Sequence, residues 1–320
     1  MTSPAQQRHR GRIVLAFSLV YFFWGSTYLA IRLAVDYVPP ELMAGSRFVV
    51  AGALMLAWCA WRGRGVRLGA GDALRLGIIG VLMLSISNVV LAWAEQSVPT
   101  GLAALLVAIT PIWFLVLETW VFRGDRVVRR GLLGVPLGIA GIVVLLWPQL
   151  TATGSLDGRE LFAALILPLG SFAWALGSAL SKRWQRRIDP FSASGWEMLI
   201  AGAVNVAIGF GIGEQHHAVW NARGMGAIAY LVVFGSWVGF SAYIWLLQHV
   251  PIPKVATYAY VNPVVAVFLG WLVLHERVDI FIAAGTVIIV AAVALTTSAK
   301  VRSAAGEERI EELPAVEGTG

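Results

Sequence analysis

Arg47 and Glu197 carry charge inside otherwise apolar runs, each a few residues from the end of its run. A charge at such a depth costs up to about 3 kcal/mol on insertion into a bilayer, so it should face protein or water, and function is the usual reason for keeping it. A salt bridge between the two is the simplest chemistry. They occupy matching positions in two copies of a repeat, however, and if the copies enter the membrane in opposite senses the residues differ in depth by about 14 Å. We therefore expect each at one mouth of a central cavity, pairing with a neighbour when its gate closes. The static alternative holds Arg47 by Asp36 or Glu41, and Glu197 by Lys182 or Arg183.

Pro111 and Pro263 remove amide donors inside apolar runs, so the carbonyls of Val107 and Ala259 lose their helical partners. Thr110 and Asn262 immediately precede these prolines, which reads either as helix hinges with polar groups turned to a substrate or as packing kinks. Aromatic and amide residues recur on the same runs: Trp24, Tyr28, Asn88, Trp93 and Trp113 in the first half, then Trp174, Tyr243, Trp245, Tyr258, Tyr260 and Asn262 in the second. A cavity lined by such groups suits amphipathic or aromatic solutes, including cations held against ring faces; the competing role is anchoring at the membrane interface.

No enzyme signature stands out. His9, His216, His217, His249 and His275 lie outside the centres of the apolar runs, and none makes HExxH or a pair spaced for a metal. Neither a GxSxG elbow nor a phosphate-binding glycine loop is present, so no catalytic residue, metal or cofactor is expected. Cys59 is the only cysteine, which excludes an internal disulfide and reads as a small apolar core residue. Glu118 can reach Arg123 and reads as structural, with a coupling proton site as the alternative; Glu95 reads as a solvated loop carboxylate.

The elements that must position these residues are membrane helices. The chain is 58% hydrophobic and only 13% charged, with a mean hydropathy of +0.75, against about 25% charged in soluble domains. Apolar runs long enough to cross about 30 Å of hydrocarbon occur at 13–35, 42–61, 74–94, 100–122, 131–149, 160–181, 193–213, 226–247, 254–274 and 279–298. The first, with no cleavage site behind it, reads as a retained helix. The fifth carries Gly131, Gly134, Gly138 and Gly141 on one face, for close packing within the chain or in a homodimer; Gly209 with Gly213 and Gly235 with Gly239 repeat the spacing.

Lys and Arg number 19 in the N-tail, even-numbered loops and C-tail, against 3 in the odd-numbered loops, which puts both termini in the cytoplasm. The net charge of +6 is spread in short clusters between apolar runs, without the basic face that nucleic acid needs. VPTGLAALLVAITP (98–111) returns as VPIPKVATYAYVNP (250–263), Ala44–Ala53 aligns with Ser194–Ala203, and Trp24 falls opposite Trp174. Five spans per copy is odd, so the second copy must be inverted, an architecture that places a substrate site near the midplane. The expected organisation is an all-α membrane protein of ten helices in a 5+5 inverted repeat: N-tail 1–12, first repeat 13–149, second repeat 160–298, and a disordered C-tail 299–320.

WGSTY (24–28), PPELMAGSRF (39–48), the TPIW and NPVV prolines and HER (275–277) resemble the EamA family of the drug/metabolite transporter superfamily, and most closely its YedA-type inner-membrane exporters. The resemblance implies two EamA repeats, a cavity built by helices one to four and six to nine, and helices five and ten as outer supports. One departure is that family members often carry Gly-Glu after helices four and nine, where this chain has Gly124-Asp125 and His275-Glu276. The expected function is a secondary transporter working by alternating access, exporting small metabolites or amphipathic compounds such as amino acids or drugs, with the bilayer as partner and a proton as candidate coupling ion. The alternatives are an importer, an intramembrane lipid-modifying enzyme and a membrane scaffold.

Overall fold

Hydrocarbon offers no partner to a backbone amide, so a chain this apolar satisfies its amides internally. The computed structural model describes residues 4–122, 133–145, 147–148, 158–184, 188–292 and 294–295, and among them all regular structure is helical. In chain order the helices are α1 (Pro4–Val35), α2 (Pro40–Trp61), α3 (Ala70–Ala94), α4 (Thr100–Val121), α5 (Gly134–Leu145), α6 (Gly158–Arg183), α7 (Pro190–Gly211), α8 (Ala222–His249), α9 (Tyr258–Leu274) and α10 (Ile280–Ala292). Seven are long and apolar enough to span a membrane; the apolar parts of α5, α9 and α10 are shorter. Exposed apolar side chains such as Leu15, Phe22, Leu54, Phe162 and Phe268 form the surface a bilayer would solvate.

Several helices outrun their apolar cores. α1 starts at Pro4, so Arg8, Arg10 and Arg12, expected in a separate tail, belong to its first turns. The C-tail, Gly131, Arg123 and Gly124-Asp125 lie outside the described residues. Two N-termini are capped by carboxylates from the other half of the chain. Glu214, after α7, accepts from the amides of Glu41 and Leu42 at 3.3 and 2.8 Å; Glu276, after α9, accepts from those of Thr100 and Gly101 at 2.8 and 3.2 Å. Each puts a negative charge where the helix leaves donors unmet.

The centre of the molecule is the crossing of α2 with α7. A methyl group added to Gly45 would meet Val206, one on Gly52 would meet Leu199, one on Gly202 would meet Val49 and one on Gly195 would meet Leu56. Each step up one helix is a step down the other, so the two run antiparallel, and glycine lets their backbones touch. Gly138 and Gly141 of α5 pack on Ile112 of α4 and Ile289 of α10, within the chain. Gly235 and Gly239 likewise face Arg47 and Trp24.

Candidate functional site

A cavity of about 80 Å³ lies inside the bundle. α1 contributes Trp24, Thr27, Tyr28 and Ile31; α2 Arg47 and Phe48; α3 Leu84, Ser87, Asn88 and Leu91; α4 Val107 and Thr110. From the second half come Leu167, Ser171 and Trp174 of α6, Gly235, Ser236 and Phe240 of α8, and Tyr258 and Asn262 of α9. α7, α5 and α10 supply none of these residues. The space holds a few waters, well below the roughly 300 Å³ at which ligand pockets begin.

Arg47 is buried, with Nε donating to Ser236 Oγ at 2.8 Å, Nη1 at 3.4 Å from Asn88 Oδ1, and its guanidinium 4.6 Å from the centre of the Phe48 ring. These acceptors are neutral. Among the described residues no carboxylate lies within ion-pair distance of it: Asp36 pairs with Arg32, and Glu41 lies on the N-terminal turn that Glu214 caps. Neither static partner expected for Arg47 is used.

One of its acceptors lies in a π-helical stretch and the other just after one; the extra residue per turn shifts side-chain directions. Ser236 sits within Leu231–Phe240 of α8; Asn88 follows Val81–Ile86 of α3, and its Nδ2 donates back to the Met83 carbonyl at 2.9 Å. Ser236, Thr27, Ser87 and Ser171 went unnoticed in the sequence, where a small hydroxyl in an apolar run is commonplace. Ser236 beside Gly235 was the available signal.

Trp24 organises the aromatic wall. Its indole donates to the Gly235 carbonyl at 3.1 Å, and its ring meets Trp174 and Tyr258 edge-on at 5.2 and 5.3 Å. Tyr243 is fully buried behind this wall, 4.8 Å from Trp24, with its hydroxyl donating to Ser178. Two residues expected to line the cavity, Tyr243 and Trp93, are not among its lining residues, and neither is Glu197, expected at one of its mouths. Tyr243 backs the cavity without lining it. Trp93 lies off the stripe of α3 that bears Asn88 and Leu91, and its ring meets Phe162 of α6. Glu197 is fully buried where α7 crosses α3, its carbonyl so near Gly80 that a methyl there would come within 2.5 Å. Helix register places Leu54 across from Glu197, two turns or about 10 Å past Arg47, so the two charges do not meet.

Residues 11–147 and 161–298 each match the EamA-like transporter family. The chain belongs to that family. The uncharacterized inner membrane transporter YedA of Escherichia coli K12 is 38% identical over 252 residues, covering 78% of this chain and 79% of YedA. The uncharacterized transporter YoaV of Bacillus subtilis is 22% identical over 287 residues, covering 89% of this chain and 97% of its own. A crystal structure at 19% identity superposes with a TM-score of 0.67 over 90% of this chain and 98% of that one, which shows a shared fold. The EamA chain is thus a membrane protein of a transporter family.

Within its EamA repeats the two proline sites differ. α4 breaks at Ala108–Ile109, just before Pro111, and the Val107 carbonyl freed by that proline accepts from Thr110 Oγ1 at 2.6 Å. In the second copy Pro263 lies inside α9. The break comes earlier, at Ala256–Thr257, where the Thr257 hydroxyl donates to the Lys254 carbonyl and meets Tyr21 Oη, both at 2.6 Å. Pro263 is therefore not at the break, because Pro251 and Pro253 already set off a separate first turn.

Glu118 pairs with Arg183 at 2.7 Å. His275 ends α9 with φ of 57°, the left-handed position that glycine fills without strain. Glu95, expected in solvent, is fully buried, and among the described residues neither of its carboxyl oxygens has a hydrogen-bond partner.

Proposed function

We propose that this protein is a secondary transporter of the inner membrane that exports a small metabolite bearing a carboxylate, by alternating access, with Arg47 meeting the carboxylate. The observation that carries this is a buried guanidinium on the cavity wall whose acceptors are both neutral. Burial of a charge costs several kcal/mol, and an anionic solute fitted to the planar donor fork offsets that cost more fully than a serine or an amide can. The Trp24, Trp174 and Tyr258 rings favour a solute with an apolar body, as an amino acid or an amphipathic acid has.

The ten-span, 5+5 inverted arrangement is part of the proposal. It is supported by the antiparallel α2–α7 crossing, in which Gly45–Val206 and Leu56–Gly195 exchange when the two copies exchange, and by the contact between the repeat-matched Trp24 and Trp174. Charge bias puts the N-terminus inside, and the small cavity fits a contracted stage of the cycle. Export is what the EamA resemblance implies.

The test is uptake and release by liposomes carrying the purified protein, against labelled amino acids, simple carboxylic acids, nucleosides and cationic dyes, with and without a proton gradient. Carboxylate-bearing solutes should move and compete with one another. Movement of cationic dyes alone would overturn the role of Arg47, and altered lipids without solute movement would overturn transport.

A further inference from the structure

Asn88, Leu91 and Glu95 follow one another at i, i+3 and i+7, so Glu95 continues the cavity-facing stripe of α3 to the end of that helix. Between it and the cavity, Tyr28, Leu91, Ala104 and Ala266 pack as a small apolar plug joining α1, α3, α4 and α9. Glu95 is 0% exposed, and among the described residues neither of its oxygens has a hydrogen-bond partner, nor does the buried Thr100 hydroxyl at the start of α4.

The charged and titratable groups acting on Glu95 are Tyr28 and Arg32 from α1 and Glu276 from the turn after α9. None forms an ion pair with it among the described residues. Arg32 is engaged by Asp36, Glu276 is itself anionic and held by the Thr100 and Gly101 amides, and Tyr28 is a neutral phenol. An ionised carboxylate buried without hydrogen bonds or a counter-charge costs far more than the neutral acid.

We propose that Glu95 is a proton-binding gate group of this transporter: it takes a proton from the water at its own end of the bundle as the Tyr28–Ala266 plug closes and returns it to that water when the plug parts. Burial, reinforced by Glu276 and opposed by Arg32, raises its pKa well above the ordinary value of 4.5, in the same direction as the geometry. Closing the plug excludes water from the carboxyl and so favours the proton; by reciprocity, proton binding favours closure. Coupling to solute movement rests on the transport reading above, whereas protonation does not.

Infrared spectra of the full-length protein in liposomes, titrated from acid to alkaline pH, test the site directly. The parent should show the C=O stretch of a buried carboxylic acid at neutral pH, lost on alkalinisation. Glu95→Gln should lose the Glu95 component, read as a parent-minus-variant difference band; Glu276→Gln should keep that component but lose it at lower pH, since the neighbouring negative charge is gone. A parent-minus-Glu95→Gln difference spectrum that shows no such band at neutral pH overturns the proposal.

In liposomes given the labelled amino acids, solute exchange by the parent should rise about tenfold as pH is raised through the infrared transition, whereas Glu95→Gln should exchange at the slow rate throughout. The same pH dependence of exchange in parent and variant overturns the gating role. If no solute moves in the parent while the infrared band behaves as stated, transport and gating both fall and the protonated carboxyl stands.

Discussion

At the scale of single residues, Arg47 and Glu95 pose opposite problems: a cation that must stay charged and an acid that can shed its charge. Arginine keeps its proton at any working pH, so Arg47 relieves its burial only through acceptors. Arg47→Lys keeps the charge but not the planar fork, and Arg47→Ala removes both. We expect Arg47→Ala to insert and fold yet lose transport of carboxylate solutes by 100-fold or more, about the 2–5 kcal/mol of a buried charge pair, with Arg47→Lys in between; full transport by Arg47→Ala would remove it from the site. For Glu95 the raised native pKa fixes the sign of a stability effect. Between 4.5, where the unfolded chain releases this proton, and the higher native pKa, the native state binds a proton that the unfolded state does not, so stability falls as pH rises through that window. Glu95→Gln has no such proton to lose, and its melting temperature in detergent should gain on the parent's as pH is raised. Parallel pH profiles for the two would contradict this. Arg47 was legible in the sequence because a charge inside an apolar run has few ordinary explanations. Glu95 was not: the residue after a helix is normally wet, and its burial is supplied by α1 and by a turn from the far half of the chain.

At the scale of elements, the helices were readable because lipid leaves the backbone few other choices, and the glycine pattern marked where they touch. Gly52 lies so close to α7 that a methyl group would come 2.6 Å from the Leu199 amide nitrogen and 2.7 Å from the Gly195 carbonyl, backbone atoms that cannot swing aside. Gly52→Ala should therefore cost about 1–3 kcal/mol through overpacking. Gly71, in the first turn of α3 with nothing near its added methyl, should gain about 0.5–1 kcal/mol from the same change. Thermal unfolding of both variants in detergent separates contact from composition, and equal shifts would argue against a tight crossing. His275→Gly should stabilise by about 1 kcal/mol, since a left-handed residue with a side chain is strained; an unchanged melting temperature would mean the imidazole compensates. The π-helical stretches that aim Asn88 and Ser236 had no visible mark in the sequence. A wider turn alters the angular order of side chains by a fraction of a turn, within the tolerance of any amphipathic pattern.

At the scale of the whole molecule, the cavity holds only a few waters, and on the alternating-access reading it has two unlike ends. One is the apolar plug of Tyr28, Leu91, Ala104 and Ala266 beside Glu95; towards the other, Tyr21 meets Thr257 where the chain breaks before α9. The repeat in the sequence implied a chamber between halves, but not that its two ends would be sealed by different chemistry, because copies that have diverged keep helix positions longer than side-chain contacts. Alternating access requires that sealing the plug leave the cavity reachable only from the N-terminal side. In a Cys59→Ala background, Ala104→Cys and Ala266→Cys joined by a short cleavable thiol crosslinker should stop solute movement, and cleavage should restore it. With the crosslink in place, Ser236→Cys on the cavity wall should react with an impermeant thiol reagent applied from the N-terminal face and not from the other. Reaction from both faces, or transport at an unchanged rate while joined, would mean that the route of the solute does not pass this plug.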